Sequence, residues 1–184
     1  MGDILAGPPG AGARTIPRPH AIEQIWRAEY DSGDLVDVRA LTVSGEHSDP
    51  RWNPAGTRIA FVGNGAITTM NARGTGRRVV VASGGAQPAW DSGAGIAFVK
   101  PATGAGDIYS VSSRGGAHRR LTRDGAGTCG NVRPAFSADG RYFAYVKRVK
   151  ANGSCRSPIA QVKLVDRRAG TVRTFTEIDL NGES

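Results

Sequence analysis

The chain has 184 residues, 24 Lys and Arg against 16 Asp and Glu for a formal net charge of +8, and a hydrophobic content of 39% with 26 glycines and 10 prolines. That is enough chain for one domain with a buried core, and a turn-rich composition of this kind excludes a coiled coil or long-helix protein. No apolar run approaches the roughly 20 residues that a membrane-crossing helix needs, so no membrane span is expected.

Residues 1–20 form a Gly/Pro-rich leader. Within it, Ile4-Leu5-Ala6-Gly7-Pro8-Pro9-Gly10-Ala11-Gly12-Ala13-Arg14-Thr15 imitates a phosphate-binding loop. A working loop needs lysine directly after the last glycine and Ser or Thr next, where this chain has Ala13 and Arg14. Pro17 and Pro19 would also break the helix whose N-terminal amides face the phosphates. Nucleotide hydrolysis is therefore set aside.

Residues 21–46 hold two short strand-like runs around Asp31-Ser32-Gly33: Ile25-Trp26-Arg27-Ala28-Glu29-Tyr30, and a stretch ending in Arg39-Ala40-Leu41-Thr42. Asp31, Asp34 and Asp37 cluster near this turn. Their spacing lacks the closely alternating oxygens and the glycine placement of a calcium loop, so they are assigned to turn formation.

From residue 47 to 180 one pattern recurs three times. The first copy has Pro50, Trp52, the turn Asn53-Pro54-Ala55-Gly56, Ile59-Ala60-Phe61-Val62, Ile67-Thr68-Thr69-Met70 and Gly74. The second has Pro88, Trp90, the degraded turn Asp91-Ser92-Gly93-Ala94, Ile96-Ala97-Phe98-Val99, Asp107-Ile108-Tyr109, Gly115 and Arg120-Leu121-Thr122. The third has Pro134, Phe136, Ser137-Ala138-Asp139-Gly140, Phe143-Ala144-Tyr145-Val146, Gln161-Val162-Lys163-Leu164-Val165-Asp166 and Gly170. Steps of 38 and 46 residues between the repeated prolines are those of blades or solenoid units.

The apolar runs are too short for helices and are punctuated by turn residues at near-fixed offsets, so they read as strands. In the third copy, Asp139 and Gly140 supply a turn residue followed by a glycine free to take positive φ. Runs that are apolar at every position suit a central strand covered on both faces. Four strands per copy make a blade, and the fold class is all-β, with about three and a half four-stranded blades. Trp52, Trp90 and Phe136 share one position in the repeat, which points to inter-blade packing, with ligand stacking as the alternative.

In its order of motifs this repeat resembles the TolB-like, or PD40, WD40-like β-propeller repeat, whose signature runs roughly P-x-W-S-P-D-G, I-A-F, D-I-Y, G, R-L-T. The first copy departs at Val79-Val80-Val81 and the second has lost the Pro-Asp-Gly turn. The resemblance implies a noncatalytic scaffold for protein or peptide binding. Against it stand two other classes: a propeller part of a hydrolase or lyase completed by another domain or chain, and a basic module that binds a polyanion. Closed propellers usually have four to eight blades, so three and a half make a partial or oligomer-completed propeller: a fragment of a longer one, an open arc, or an array that self-association or a partner completes.

Cys129 and Cys155 both fall in the third copy, Cys129 ahead of its first strand and Cys155 in an extended loop from Lys150 to Pro158. Neighbouring strands of one sheet can bring such positions within disulfide reach; the alternatives are one bridge or two free thiols. A bridge would place the protein in the periplasm or outside the cell, in keeping with the export usual for the family that the repeat resembles. The paired arginines Arg77-Arg78, Arg119-Arg120 and Arg167-Arg168 lie beside turns and are read as solvated blade edges. Few aromatics are free to stack on bases, so nucleic acid is not an expected partner. His20, His47 and His118 share no ligand spacing and are assigned to surface or loops. No cofactor, metal site or catalytic residue is expected.

Overall fold

The computed structural model describes residues 23–100 and 106–176; the leader, with its loop-like motif and His20, lies outside them. The described chain is all β. A hairpin of β1 (Trp26–Asp31) and β2 (Asp34–Ala40) precedes three four-stranded antiparallel sheets. The first sheet runs β3 (His47–Trp52), β4 (Arg58–Gly63), β5 (Ala66–Asn71), β6 (Arg78–Val81). The second runs β7 (Ala86–Trp90), β8 (Gly95–Lys100), β9 (Asp107–Ser112), β10 (Arg119–Arg120), and the third β11 (Asn131–Phe136), β12 (Tyr142–Ala151), β13 (Ser154–Asp166), β14 (Thr171–Thr176). Each is a meander in sequence order, the arrangement of a propeller blade.

The hydrophobic core lies between sheets. Ile25 and Leu41 of the hairpin segment pack with Ile59, Phe61 and Met70 of the first blade. Ala60, Ile67, Val80 and Val81 of the first blade meet Trp90, Ile96, Phe98 and Val111 of the second. Ala97, Val99 and Ile108 of the second meet Phe143 and Tyr145 of the third. This is why β4 and β8 are apolar along their length: both faces are covered, and Ile59, Ala60, Phe61, Ile96, Ala97 and Phe98 are all buried. In β12 the matching run is only alternately buried, because the far face of the third blade is uncovered among the described residues. On that blade Ile159, Val162, Val172 and Phe175 are 38–57% exposed.

The first strands β3, β7 and β11 lie side by side, so the blades splay outward from them. Each carries a bulge at its proline. Asp49, Gln87 and Arg133, the residues before Pro50, Pro88 and Pro134, have φ of 52°, 50° and 55°, and the register with the next strand shifts there in all three blades. A proline cannot donate to the ladder, so a bulge is where a strand tolerates it. Between the second and third blades the freed N–H of Arg133 donates to the Gln87 side chain at 2.7 Å, which ties one inner strand to the next.

The segment from Lys150 to Pro158 is not a loop. β12 and β13 continue as a long two-stranded ribbon with a tight Asn152-Gly153 turn, where both residues have positive φ. The alternation of polar and small residues there lacks the apolar face by which a strand is recognised in sequence.

Candidate functional site

Between the outer halves of the second and third blades a cleft of about 1080 Å3 opens. Its floor is apolar, from Ile96, Leu121, Phe143, Tyr145 and Val165, and its rim carries Arg119, Arg123, Asp91, Asp124 and Arg167. The two carboxylates are engaged. Arg167 reaches Asp91 Oδ1 at 3.0 Å and the Gly140 carbonyl at 2.7 Å, and Lys147 reaches Asp124 at 2.6 Å. Burial works to raise the Asp124 pKa, but the Lys147 ammonium and the Asn131 amide outweigh it and hold it below the ordinary value. Burial pushes the Tyr145 phenol up, so it stays protonated.

At the inner end of the cleft a buried polar cluster joins the two blades. Asp107 receives Thr122, Asn131, the N–H of Gly125 and the Arg120 guanidinium. Desolvation would raise its pKa, yet these donors together pull it below the ordinary carboxylate value. Thr122 and Arg120 close the second blade on itself, and Asn131 ties it to the third. The Asp of the D-I-Y stretch and the Thr of R-L-T were visible in sequence as repeat marks; that they meet was not, because Asn131 lies outside the motif.

Among the repeat-defining residues, Trp90 is 8% exposed, packs against the first blade and donates from Nε1 to the Arg51 carbonyl at 3.0 Å. Phe136 packs on the core shared with the second blade, with Arg167 over its ring at 5.3 Å. Trp52 is 48% exposed, which departs from the packing role assigned to that position. The reason is its neighbour: the preceding hairpin has two strands among the described residues and no inner strands for Trp52 to rest on. Asp139 accepts from Ser137 and the Arg141 N–H, which hold its carboxyl below the ordinary value, and Gly140 sits at φ 69°. Pro50, Pro88 and Pro134 sit at the three bulges.

Cys129 and Cys155 form a disulfide with a Cα separation of 5.5 Å, fastening the chain ahead of β11 to the β12–β13 ribbon. His47 overturns its surface assignment. It is 7% exposed at the start of β3, its ring 5.4 Å from Phe61, and burial lowers its pKa. His118 lies edge-on to Phe98 at 5.1 Å. Asp31 and Asp34 flank the β1–β2 turn, and Asp37 adopts φ 47° at an irregularity of β2.

No family model matches this sequence. Among solved structures, the chain is similar to a chain of a nidogen/laminin complex, with 11% identity, a TM-score of 0.65, and coverage of 85% of this chain and 59% of that one. It is similar to the β-propeller domain of the Trilobed protease from Pyrococcus furiosus, with 17% identity, a TM-score of 0.52, and coverage of 73% and 43%. TolB from Acinetobacter baumannii matches at 21% identity and a TM-score of 0.44, over 78% of this chain and 47% of that one. The chain thus spans less than two thirds of each of these structures, and likeness at this identity speaks for the fold. With sheets that meander four strands at a time, cores between them and a bulged proline on each first strand, the chain is a stretch of β-propeller: three full blades and a further hairpin, written in a repeat that resembles that of TolB-like proteins.

Proposed function

We infer that this stretch is part of a noncatalytic propeller scaffold that binds a protein or peptide, and that further blades, of the same protein, of a partner or of a second copy, cover its open ends. One observation carries the reading. The cleft between the second and third blades is floored with apolar side chains and rimmed with arginine, and its two carboxylates are held in ion pairs. Such a surface is suited to desolvating and orienting a chain, whereas acid–base chemistry needs a group with a pKa near the working pH and a free lone pair. The exposed apolar side chains at both ends support completion by additional blades, since a face of Val162 and Phe175 gains by being covered. The disulfide supports an oxidising compartment such as the periplasm or the exterior.

A second reading, a propeller that serves an attached hydrolase, is favoured by the likeness to the protease propeller domain. Two measurements on the purified protein separate them. As a scaffold it gives no turnover of fluorogenic peptide, ester and glycoside substrates, and selection from a displayed random peptide library yields sequences that bind saturably. Turnover that co-purifies with the protein, or a selection that enriches nothing, overturns the scaffold reading.

A further inference from the structure

The segment that forms the wall of the cleft on the second blade is rich in arginine. Arg119, Leu121 and Arg123 line the cleft, together with Thr122 and Asp124. Arg120 turns the other way, where its guanidinium pairs with Asp107 and its Nε donates to the Thr122 carbonyl at 2.9 Å. Past the end of β10 the N–H groups of Leu121 and Thr122 both donate to the Ile108 carbonyl, a bulge that interrupts the alternation of the strand. The wall therefore presents Leu121 with an arginine on each side of it along the chain.

Arg119 and Arg123 are exposed and make no ion pair among the described residues. The acidic groups beside them, Asp91 and Asp124, are already held by Arg167 and Lys147. The third blade contributes Val165 and Val172 to the same cleft, the latter 57% exposed. A ligand that enters would meet apolar carbon at the floor and two unpaired guanidinium groups on this wall.

We propose that this cleft holds a peptide segment in which a bulky apolar residue is flanked by acidic ones. The apolar side chain enters onto the apolar floor beside Leu121, and the acidic side chains meet Arg119 and Arg123. This rests on the scaffold reading above and names the site and the chemistry of its ligand. Desolvating the apolar residue favours binding, and the charge-assisted pairs fix which register is occupied.

The test uses the purified chain and two labelled synthetic peptides in fluorescence anisotropy, one with Glu-Ser-Phe-Ser-Glu at its centre and one with Lys-Ser-Phe-Ser-Lys. The acidic peptide binds and the basic one does not. Arg119→Glu and Arg123→Glu each weaken the acidic peptide about tenfold or more, the loss of one charge-assisted hydrogen bond. The double variant gains binding for the basic peptide. Arg78→Glu, on the exposed edge of the first blade, leaves affinity unchanged. Equal affinity for both peptides overturns the proposal by showing that charge plays no part, and an Arg78→Glu loss as large as that of Arg119→Glu overturns it by tracing the attraction to overall positive charge. If library-selected peptides bind but ignore Arg119→Glu and Arg123→Glu, this cleft is wrong and the scaffold reading stands; if no peptide binds, both fall. Far-UV circular dichroism identical to the parent chain verifies that each variant is folded.

Discussion

The Thr122 hydroxyl donates to Asp107 Oδ1 at 2.7 Å while it accepts the N–H of Ile108 at 3.0 Å, so one side chain closes the outer strand onto the third strand of its blade. Thr42 repeats half of this in the hairpin segment, accepting the N–H of Ile25 at 2.8 Å. Between the first and second blades the arrangement is absent. Ala66 takes the place of Asp107 in the register, and a side chain at Gly85, where the third blade has Asn131, would collide with Ile67. Blade joints in this chain are thus of two chemical kinds, one hydrogen-bonded and one filled with aliphatic carbon.

Thr122→Val keeps the shape and removes the hydroxyl, which leaves a buried carboxylate oxygen and a buried N–H each short of a partner. The cost is about 1–3 kcal/mol, read as a lower urea midpoint with an unchanged slope. A midpoint equal to that of the parent chain would show that water replaces the hydroxyl without loss.

Acid should weaken the same joint. Asp107 and Asp124 have folded pKa values below the ordinary 3.8, and Arg141 draws Asp166 down to about 2. A carboxyl whose pKa is depressed in the folded state contributes stability above its unfolded pKa, and that contribution is lost as pH falls through the folded value. Stability therefore holds level above about pH 5 and declines steadily below about pH 4. Urea midpoints taken across that interval check it, and a flat profile down to pH 3 contradicts the ion-paired joint.

The tryptophans of the repeat separate by context. Trp90→Ala empties a site that is 8% exposed between two blades and costs about 3–5 kcal/mol. Trp52→Ala, at 48% exposure, costs about 1 kcal/mol or less. Thermal melts of the two variants make the comparison, and a Trp52→Ala loss equal to that of Trp90→Ala would mean that the first blade is covered in solution.

That pair also marks how far sequence alone carries. The blade grammar was legible because strand length, turn glycines and spacing are local properties, and each copy repeats them. What a repeat position touches is not local: Trp52 and Trp90 have the same signature and differ only in the strands of the blade before them. His47 was misplaced for a related reason, since a lone histidine without periodic neighbours gives no sign that Phe61 folds over it. The cleft was hidden because its two walls come from different blades. Arg119 and Arg167 of its rim read in sequence as solvated edges, and only the structure shows that they line one cleft with Arg123.

Breaking the disulfide tests the ribbon. Cys129 and Cys155 are 26 residues apart, and releasing a loop of that size costs about 3–4 kcal/mol in chain entropy. The double variant Cys129→Ala, Cys155→Ala should lose that much in urea unfolding, with no further loss on adding reductant. A parent chain whose midpoint ignores reductant would place the bridge outside the cooperative unit.

Gly140 is held by two constraints at once. Its φ of 69° lies in the left-handed region, where a Cβ costs about 1–2 kcal/mol, and a Cβ built there would also overlap the Ser92 hydroxyl of the neighbouring blade. Gly153, at φ 76°, has open space around it. Gly153→Ala therefore reports the backbone penalty alone, and Gly140→Ala exceeds it by whatever it takes to part the two turns that Arg167 draws together through Asp91 and the Gly140 carbonyl. Adding Ser92→Gly relieves the overlap and brings Gly140→Ala back to about the Gly153→Ala value. If the two alanine variants melt together without that relief, the turns of adjacent blades are not in contact, and the upper end of the cleft is wider than described.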